Sequence, residues 1–475
     1  MGSGQVTDWQ GKHVTVAGLG VSGIPAAKVL HGLGAAVTVV NDGDDERARA
    51  QAADLEALGI TVRLGDGATL PQGTELVVTT PGWKPDKPLF TAARAAGLEI
   101  WGDVELAWRL RGPDAAPWLA VTGTNGKTTT VQMLASILKA AGLRTAAVGN
   151  IGVSLLDVVL GDEPYDVLAV ELSSYQLHWA PSLRAHSAAV LNLAPDHLDW
   201  HGSMEAYAKD KGRVYEGNRV ACVYNVADKA TEDLVREADV EEGCRAVGFT
   251  LGTPGPSQLG VVEGILVDRA FVENRQKNAQ ELAEISDVNP PAPHNIANAL
   301  AAAALARAYG VPAAAVRDGL RAFTPDAHRI AHVADVEGVA YIDDSKATNT
   351  HAAQASLAAY ESIVWIAGGL AKGATFDELV AGAAGRLRGV VLIGADRALI
   401  REALARHAPE VPVVDLDRTD TGAMLAAVRE ARTLARTGDT VLLAPACASM
   451  DMFVNYNRRG DAFAEAVREL AATDG

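Results

Sequence analysis

The chain has 475 residues, of which 48% are hydrophobic and 21% are charged, and its formal net charge is −17. This length exceeds one ordinary hydrophobic core, so we expect two to four domains, and the composition is that of a soluble globular protein. The negative charge argues against a nucleic-acid partner or an anionic membrane surface, although a local pocket can still hold an anionic small ligand.

The cysteines and the N-terminus indicate the compartment. Cys222, Cys244 and Cys447 form no CxxC pair and suggest no disulfide framework, which fits a reducing cytoplasm. The first residues, MGSGQVTDW, lack the pattern of a signal peptide, and no apolar run reaches the roughly 18 residues of a membrane span. We therefore expect a cytoplasmic protein without membrane insertion.

The first region of the chain reads as a βαβ unit. Strands at 13–18 and 35–42 flank a helix predicted at 22–34, and such units imply a mostly parallel sheet. The stretch GLGVSG at 18–23 matches the GxGxxG turn of dinucleotide-binding proteins, and the next strand ends in VVND. Taken alone, the turn is consistent with a dinucleotide site or with an ordinary tight turn.

The second region opens with LAVTGTNGKTTT at 119–130. A glycine-bearing turn between a strand at 118–123 and a helix from Lys127 has the layout of a phosphate-binding loop, because backbone N–H groups there attract anionic oxygens. Lys127 can reach terminal phosphates, and Thr128 can place a hydroxyl on Mg²⁺. Val121 stands where a standard Walker A motif has its first glycine, so the loop is a shortened variant.

Acidic and histidine residues follow two further strands, predicted at 165–172 and 186–193. Glu171 ends the first strand; alone it is also consistent with a solvated surface residue. The second strand is followed by a dense polar cluster: Asp196, His197, Asp199 and His201. Loops at the carboxyl ends of parallel strands hold ligands in α/β proteins, although Asp196 or Asp199 is also a candidate helix N-cap. A zinc site is a weaker alternative, because no Cys or further spaced His completes a tetrahedral set.

The alternation of strands and helices continues to the end of the chain. A helix is predicted at 295–310, with Asn295 as its N-cap and Gly310 past its end, and loops are predicted at 253–260 and 287–295. The remaining predicted strands are 144–150, 219–225, 339–344, 362–369, 389–394 and 440–445. Three α/β domains are predicted, with boundaries near residues 102 and 325.

Five motifs in this order resemble those of the Mur ligases: GTNGKTT, ELSSYQL, NLAPDHLDWHG, YAKDKGRVY and HNIANALAA. These are ATP-dependent amide-forming enzymes of peptidoglycan synthesis, and the folylpolyglutamate synthetases share part of the set. The similarity covers nearly the whole chain. It implies an α/β protein with a Rossmann-like UDP-binding domain at 1–102, a central P-loop-type ATPase domain at 103–325 and a Rossmann-like amino-acid-binding domain at 326–475.

Three C-terminal motifs narrow the resemblance. DDSKATNT, GGLAKG and PACASMDMF resemble the members of the family that add D-glutamate to UDP-N-acetylmuramoyl-L-alanine, whereas other members carry residues such as Asn-Pro or His-Pro pairs after the corresponding strand. The implied reaction consumes ATP and passes through an acyl phosphate. We expect a monomer whose site is assembled by domain closure, since the three domains supply different ligands.

The resemblance implies an ATP site, two Mg²⁺ ions and a CO₂-derived carbamate on Lys211. The residues implied to bind ATP are Gly123, Thr124, Asn125, Gly126, Lys127, Thr128, Thr129, Asn295, Asn298, Arg329, Asp344 and Lys346. Those implied to bind metal are Thr128, Glu171, His197 and Lys211, and the catalytic set is Lys127, Glu171, His197, Lys211 and Asn150. Lys211 lies four residues after Tyr207, as in the family, but Lys209 stays open as the alternative. Ala331 replaces an acidic residue of many relatives, which puts an ATP contact there in doubt.

The two other substrates have their own implied residues. UDP would contact Val21, Ser22, Gly23, Asn41, Asp42, Thr80 and Gly82, with Asn150 on the muramoyl part, and the choice between Asn41 and Asp42 for the uridine stays open. D-glutamate would contact Lys346, Thr348, Lys372, Ser449, Met450 and Tyr456. An NAD-dependent oxidoreductase built on GLGVSG, or a nucleotide switch without catalysis, would leave the other motifs unexplained.

Overall fold

A computed structural model describes residues 8–151, 153–418, 420 and 422–473; the first seven residues of the N-terminal stretch lie outside these ranges. The chain forms two compact units. The first comprises the residues up to Val288 together with Asn295–Phe323, and the second comprises Asn289–His294 with the residues from Thr324 onward. The predicted division into three domains is finer than this separation and stays a prediction.

The first unit begins with a five-stranded parallel sheet in the order β3-β2-β1-β4-β5. Its strands are β1 His13–Ala17, β2 Ala36–Asn41, β3 Thr61–Leu64, β4 Leu76–Thr79 and β5 Glu99–Gly102. Its helices are α1 Gly23–Gly32, α2 Glu46–Glu56, α3 Pro88–Ala95 and α4 Asp103–Leu110. The predicted βαβ unit is confirmed, and the last four residues of β1 are buried in succession, as in a strand covered on both faces.

A nine-stranded sheet follows in the first unit, in the order β14-β13-β12-β11-β10-β9-β6-β8-β7. Its strands are β6 Trp118–Thr122, β7 Ala147–Gly149, β8 Leu168–Glu171, β9 Ser187–Val190, β10 Ala221–Asn225, β11 Arg245–Phe249, β12 Gln258–Val262, β13 Ile265–Asp268 and β14 Gln280–Glu284. Strands β6 to β12 are parallel, while β13 and β14 are antiparallel additions at one edge. The predicted strands between 118 and 225 are confirmed, each slightly shorter than expected.

The helices of this part of the first unit have clear sequence causes. They are α5 Lys127–Ala140, α6 Leu155–Leu160, α7 Ser174–His178, α8 Leu198–His201, α9 Met204–Gly212, α10 Lys229–Glu237, α11 Pro293–Tyr309 and α12 Ala313–Ala322. Helix α11 is buried on nearly all sides, so its run of alanines and leucines shows no apolar stripe. None of the helices within the described ranges is long and apolar enough to cross a membrane.

Three local predictions are wrong. Helix α11 begins at Pro293, so Asn295 lies in the first turn and is not the N-cap; proline suits the first helical position, where its missing N–H costs nothing. The predicted loop 287–295 therefore contains the start of a helix. The predicted loop 253–260 contains the start of β12, because Gln258 and Leu259 pair with β11 despite the preceding prolines.

The second unit contains a six-stranded sheet in the order β15-β16-β20-β17-β18-β19. Its strands are β15 Ala331–Val336, β16 Val339–Asp343, β17 Ile363–Gly368, β18 Leu387–Ile393, β19 Val413–Asp415 and β20 Thr440–Leu443. Its helices are α13 Thr350–Leu357, α14 Asp377–Ala383, α15 Arg397–His407, α16 Ala423–Leu434 and α17 Tyr456–Thr473. Among the described strands of this six-stranded sheet only β15 is antiparallel, so the loops after β16, β17 and β20 leave the sheet at the same edge.

Candidate active site

The predicted phosphate-binding loop, called the phosphate loop below, lies at 123–126 between β6 and α5. Gly126 has a φ of +85°, and a Cβ at this position would lie 2.4 Å from Asn298 Oδ1. Only glycine fits this close approach of the loop to α11. Thr124 is buried, and its Oγ1 lies 3.0 Å from Tyr207 Oη and accepts a hydrogen bond from Ala194 N at 3.0 Å. The loop is therefore held rigidly from several sides.

Lys127 and Asn192 close the same loop. The Lys127 amine donates to the backbone carbonyls of Gly123 and Thr124, both at 2.9 Å. Asn192 accepts from Asn125 N at 2.9 Å and donates to its carbonyl at 3.1 Å. Sequence reasoning missed Asn192; its position just after a strand was the signal that could have found it.

Glu171 lies at the carboxyl end of β8, opposite Val121 on β6. It is only 2% exposed, which excludes the surface alternative. Its Oε1 accepts from Asn150 Nδ2 at 2.9 Å, whereas its buried Oε2 has no hydrogen-bond partner among the described residues. Buried polar atoms are nearly always paired in proteins, so this oxygen is available to a ligand.

His197 follows β9 in a left-handed conformation, with φ +54°. It precedes α8 as the cap position, so neither Asp196 nor Asp199 is the N-cap; Asp196 Oδ1 accepts from His197 N at 2.9 Å. The ring lies 4.8 Å from that of Tyr175. Burial lowers the pKa of His197 although Asp196 opposes the shift, which favours a neutral imidazole with a free lone pair.

Lys211 is buried beside the phosphate loop, and Lys209 is exposed on the same helix. The Lys211 amine donates to Gly123 O at 2.8 Å and lies 4.7 Å from the centre of the Tyr207 ring. Within the described residues no carboxylate lies within salt-bridge distance, 4.0 Å, of this amine. Burial, and then the charge of Lys127, lowers the pKa of Lys211 far below its ordinary value. The geometry thus sets Lys211 apart from Lys209.

The oxygen donors of this region fit magnesium. Thr128 lies half-buried at the start of α5, and Glu171 offers its unpaired Oε2. Both are the hard oxygen ligands that Mg²⁺ takes, together with phosphate oxygens and water. No group of three His, Cys, Asp or Glu side chains within the described ranges has the arrangement of a metal site, so phosphate, water and other donors would complete the coordination.

The GLGVSG turn lies between β1 and α1. Gly18 has a φ of +105°, and a Cβ there would lie 2.7 Å from Thr80 Oγ1, while Val21 is 90% exposed at the tip. Asn41 Oδ1 accepts from Leu19 N at 3.2 Å, so this amide braces the turn.

The rest of the predicted UDP set is spread around this turn. Asp42 is ion-paired with Lys87, and Gly82 O accepts from Trp200 Nε1 at 3.3 Å. Ser22 and Gly23 lie at the start of α1. Asn150 instead bonds Glu171, so the structure joins it to the phosphate-loop group.

In the second unit, the predicted residues lie on the loops after β16, β17 and β20. Asp344 is buried and accepts from Ser356 Oγ and from Ile330 N at 3.3 Å, and burial raises its pKa to about 6. The Lys346 amine lies 4.1 Å from the centre of the Tyr456 ring.

The other predicted residues of this unit differ in exposure. Ser449 is buried, Thr348 and Arg329 are half-buried, and Lys372 and Met450 are exposed. The predicted ATP-binding residues thus divide between the units: Asn295, Asn298 and 123–129 belong to the first, and Arg329, Asp344 and Lys346 to the second.

Sequence reasoning also missed Arg459 on α17. This arginine is 1% exposed and donates to Ser345 Oγ at 3.0 Å, to Ser345 O at 2.8 Å and to Cys447 O at 3.0 Å. It therefore ties the loop after β16 to the loop after β20. A buried guanidinium is costly unless its donors find partners, and here each of its three nitrogens donates one hydrogen bond.

Comparison with known proteins gives matches along most of the chain. The family model described as "Mur ligase middle domain" matches residues 121–306, and the model described as "Mur ligase, glutamate ligase domain" matches 328–447. A Streptomyces avermitilis protein named UDP-N-acetylmuramoylalanine--D-glutamate ligase is 89% identical over 98% of this chain and 100% of its own length. Its namesake from Thermobifida fusca is 60% identical over 97% and 99%.

Solved structures agree on the fold. The UDP-N-acetylmuramate-alanine ligase of Thermotoga maritima has a TM-score of 0.56 at 18% identity and covers 96% of this chain and 99% of its own. E. coli FolC has a TM-score of 0.52 at 18% identity, covering 78% and 92%. The two family models and the full-length relatives together establish that this chain belongs to the Mur ligase family.

Proposed function

We propose that this chain joins D-glutamate to UDP-N-acetylmuramoyl-L-alanine, with hydrolysis of ATP to ADP and phosphate, in the cytoplasmic synthesis of peptidoglycan precursors. The observation that carries the proposal is the 89% identity, over nearly the whole chain, to a relative bearing that name. The grouping of half-buried Lys127 with buried Glu171 and Lys211 at the phosphate loop supports it, since such a reaction needs cationic and metal-binding groups beside the phosphate.

The chemistry follows from the reluctance of a carboxylate to react with an amine. Transfer of the γ-phosphate to the L-alanyl carboxylate creates an acyl phosphate with a good leaving group. Both reactants are anionic, so the site must neutralise charge; Lys127 and the N–H groups of the loop supply positive charge there. The amine of D-glutamate then attacks the acyl carbon, the C–O bond to phosphate breaks, the amine loses a proton, and phosphate leaves with the former carboxylate oxygen.

Magnesium has proposed protein ligands in the first unit. Thr128 and Glu171 would hold one ion, and Glu171, His197 and carbamylated Lys211 would contribute to a second. When bound, Mg²⁺ supplies charge neutralisation between the phosphate and the substrate carboxylate. The support is the unpaired Oε2 of Glu171 and the neutral character of His197.

Lys211 is the proposed carbamate. A protonated amine offers no lone pair and would repel a cation, whereas a carbamate offers two anionic oxygens. The neutral amine adds to CO₂, an N–C bond forms and one proton leaves to solvent. Burial and the nearby Lys127 charge favour the neutral amine that this step requires.

The remaining ligand contacts are proposed residue by residue. D-glutamate carboxylates would pair with Lys346 and Lys372, with Thr348 and Ser449 as hydrogen-bond donors and Met450 and Tyr456 as walls. UDP would lie at the GLGVSG turn and at Thr80 and Gly82. The brace that Asn41 gives to Leu19 N favours Asn41 over Asp42 as the residue that shapes the uridine end.

Phosphate release with a panel of substrates tests the proposal. Release should require ATP, UDP-N-acetylmuramoyl-L-alanine and D-glutamate together, and L-glutamate or meso-diaminopimelate should be poor replacements. A pocket that holds both carboxylates directs the amine of one enantiomer only. Equal turnover of L-glutamate, or release without the UDP-linked acceptor, would contradict the proposal.

A further inference from the structure

A buried polar network lies beneath the His197 loop in the first unit, and its centre is His201. The His201 side chain is fully buried, with Nδ1 3.0 Å from Asp210 Oδ2 and Nε2 3.0 Å from Ser174 Oγ. Asp210 Oδ2 also lies 2.9 Å from His178 Nδ1, and Oδ1 lies 3.2 Å from Arg213 Nε. Both oxygens of the carboxylate are therefore engaged.

The network lies between His197 and Lys211, two of the three residues proposed to contribute to the second metal site. Asp210 precedes Lys211 on α9, and neighbouring helical side chains diverge by about 100°, so Asp210 can anchor one side while Lys211 faces the phosphate loop. On the other side, the His201 ring stacks parallel to that of Tyr175 at 5.6 Å, and Tyr175 lies 4.8 Å from the His197 ring.

His197 needs such support. Its left-handed backbone, φ +54°, is strained in a non-glycine residue and persists only where the surroundings hold it. Among the described aromatic rings that contact His197, that of Tyr175 lies nearest, and Tyr175 in turn packs against the rings of Trp200 and His201.

A purely structural role would not need this chemistry. Buried charged networks carry a desolvation cost, and well-packed apolar residues often stabilise a fold as well or better. Three basic side chains contact Asp210 within 3.2 Å, namely His178, His201 and Arg213. The hydrogen bonds to Asp210 are directional, so they set the orientation of the His178 and His201 rings, which apolar packing alone does not do.

We propose that His201 and Asp210 are positioning residues that fix the spacing between the His197 imidazole and the Lys211 amine. This rests on the proposed function, because it gives those two groups their metal. The network touches neither ATP nor the substrates in this account; it acts through Tyr175 and through helix α9.

Asp210→Asn tests the proposal, because it keeps the shape and removes the anion. After incubation with ¹³C-bicarbonate and Mg²⁺ but no substrate, the carbamate signal by ¹³C NMR gives the bicarbonate concentration for half-occupancy, and Lys211→Ala provides the blank. We expect this concentration and the half-saturating Mg²⁺ in turnover to rise about tenfold, as for other outer-shell partners of metal ligands. The KM for the UDP-linked acceptor should change less than about twofold.

Asp233→Asn is the matched control. It makes the same chemical change in an exposed ion pair with Lys229 on α10. It should leave the bicarbonate concentration for half-occupancy, the half-saturating Mg²⁺ and the KM for the acceptor unchanged. Ser174→Ala removes only the Nε2 contact of His201. It should raise the bicarbonate concentration for half-occupancy and the half-saturating Mg²⁺ by a smaller factor than Asp210→Asn does.

Several results would overturn the proposal. Folded Asp210→Asn and Ser174→Ala proteins with carbamate occupancy and Mg²⁺ requirement within about twofold of the parent would do so. Loss of folding in both variants would show that the network serves stability alone. Absence of a carbamate signal from the parent protein would also contradict the proposal, because Lys211 would then carry no metal-binding group for the network to position. The same experiment distinguishes this proposal from the proposed function, because the carbamate is measured by ¹³C NMR without substrate. A parent protein that carries the carbamate but releases no phosphate would contradict only the proposed D-glutamate reaction.

Discussion

Lys211 contacts a backbone carbonyl of the phosphate loop, whereas Lys209, half a turn away on α9, points to solvent. The helix alone creates this difference, since two residues correspond to about 200° around the axis. Burial lowers the pKa of the Lys211 amine, which favours its neutral form beside the residues proposed to bind metal.

Lys211→Ala should therefore be nearly inactive, and Lys209→Ala should retain most of the parent kcat. Formate or acetate should partly restore the Lys211 variant, because a small carboxylate can supply the oxygens of the missing carbamate. Steady-state phosphate release measures both effects. Rescue of the Lys209 variant instead would mean that the wrong lysine has been assigned.

The buried carboxyl of Asp344 should make the folding stability of the protein depend on pH. Burial raises the pKa of its carboxyl from the ordinary 3.8 to about 6. As pH rises through this window the unfolded chain ionises first, so the unfolded state binds fewer protons and stability falls. The loss is at most about 3 kcal/mol, complete above pH 6.

Asp344→Asn should remove this part of the pH dependence. Urea unfolding at several pH values between 4 and 7 should show a flatter profile for the variant than for the parent. Asp417→Asn, at a position 94% exposed in the same unit, should leave the profile unchanged. Parallel profiles for Asp344→Asn and the parent would contradict the raised pKa.

Among the elements, the regular alternation of strands and helices could be predicted because each buried parallel strand is a short apolar run bounded by turns. The start of α11 could not be predicted in this way. Asn295 has a side chain typical of an N-cap, but Pro293 has the fixed φ that suits the first helical position, and the helix begins there. The start of β12 could not be predicted for a related reason. The prolines and glycine just before it favour a loop, but pairing with β11 makes Gln258 and Leu259 part of a strand.

The packing of α5 against α12 depends on a glycine. A Cβ at Gly319 would lie 2.4 Å from Ile137 Cα, and this neighbour is helix backbone that cannot move aside. Gly319→Ala should therefore cost about 1–3 kcal/mol of stability, in spite of the better helix propensity of alanine. Gly32→Ala is the matched helical control: nothing lies within 4 Å of its Cβ position, so it should be neutral or stabilising. Chemical denaturation distinguishes the two, and equal effects would contradict this packing.

For the whole molecule, the motifs predicted most of the candidate site, because phosphate loops and their carboxylates have fixed chain positions relative to strands. The partners of those residues could not be predicted. Asp210 contacts His178, which lies 32 residues earlier, and Arg459 contacts Ser345, which lies 114 residues earlier; no local pattern encodes such pairs. The division into three domains stays a prediction beside the two compact units.

The most direct test of the account follows one oxygen atom. UDP-N-acetylmuramoyl-L-alanine labelled with ¹⁸O in its L-alanyl carboxylate should be incubated with the protein, ATP, Mg²⁺ and D-glutamate, and the released phosphate analysed by mass spectrometry. Each phosphate released with product should carry one ¹⁸O, and Lys127→Ala should form labelled phosphate far more slowly, since its kcat should fall by on the order of 10²–10³. Product formation with unlabelled phosphate would contradict activation of the carboxylate as an acyl phosphate.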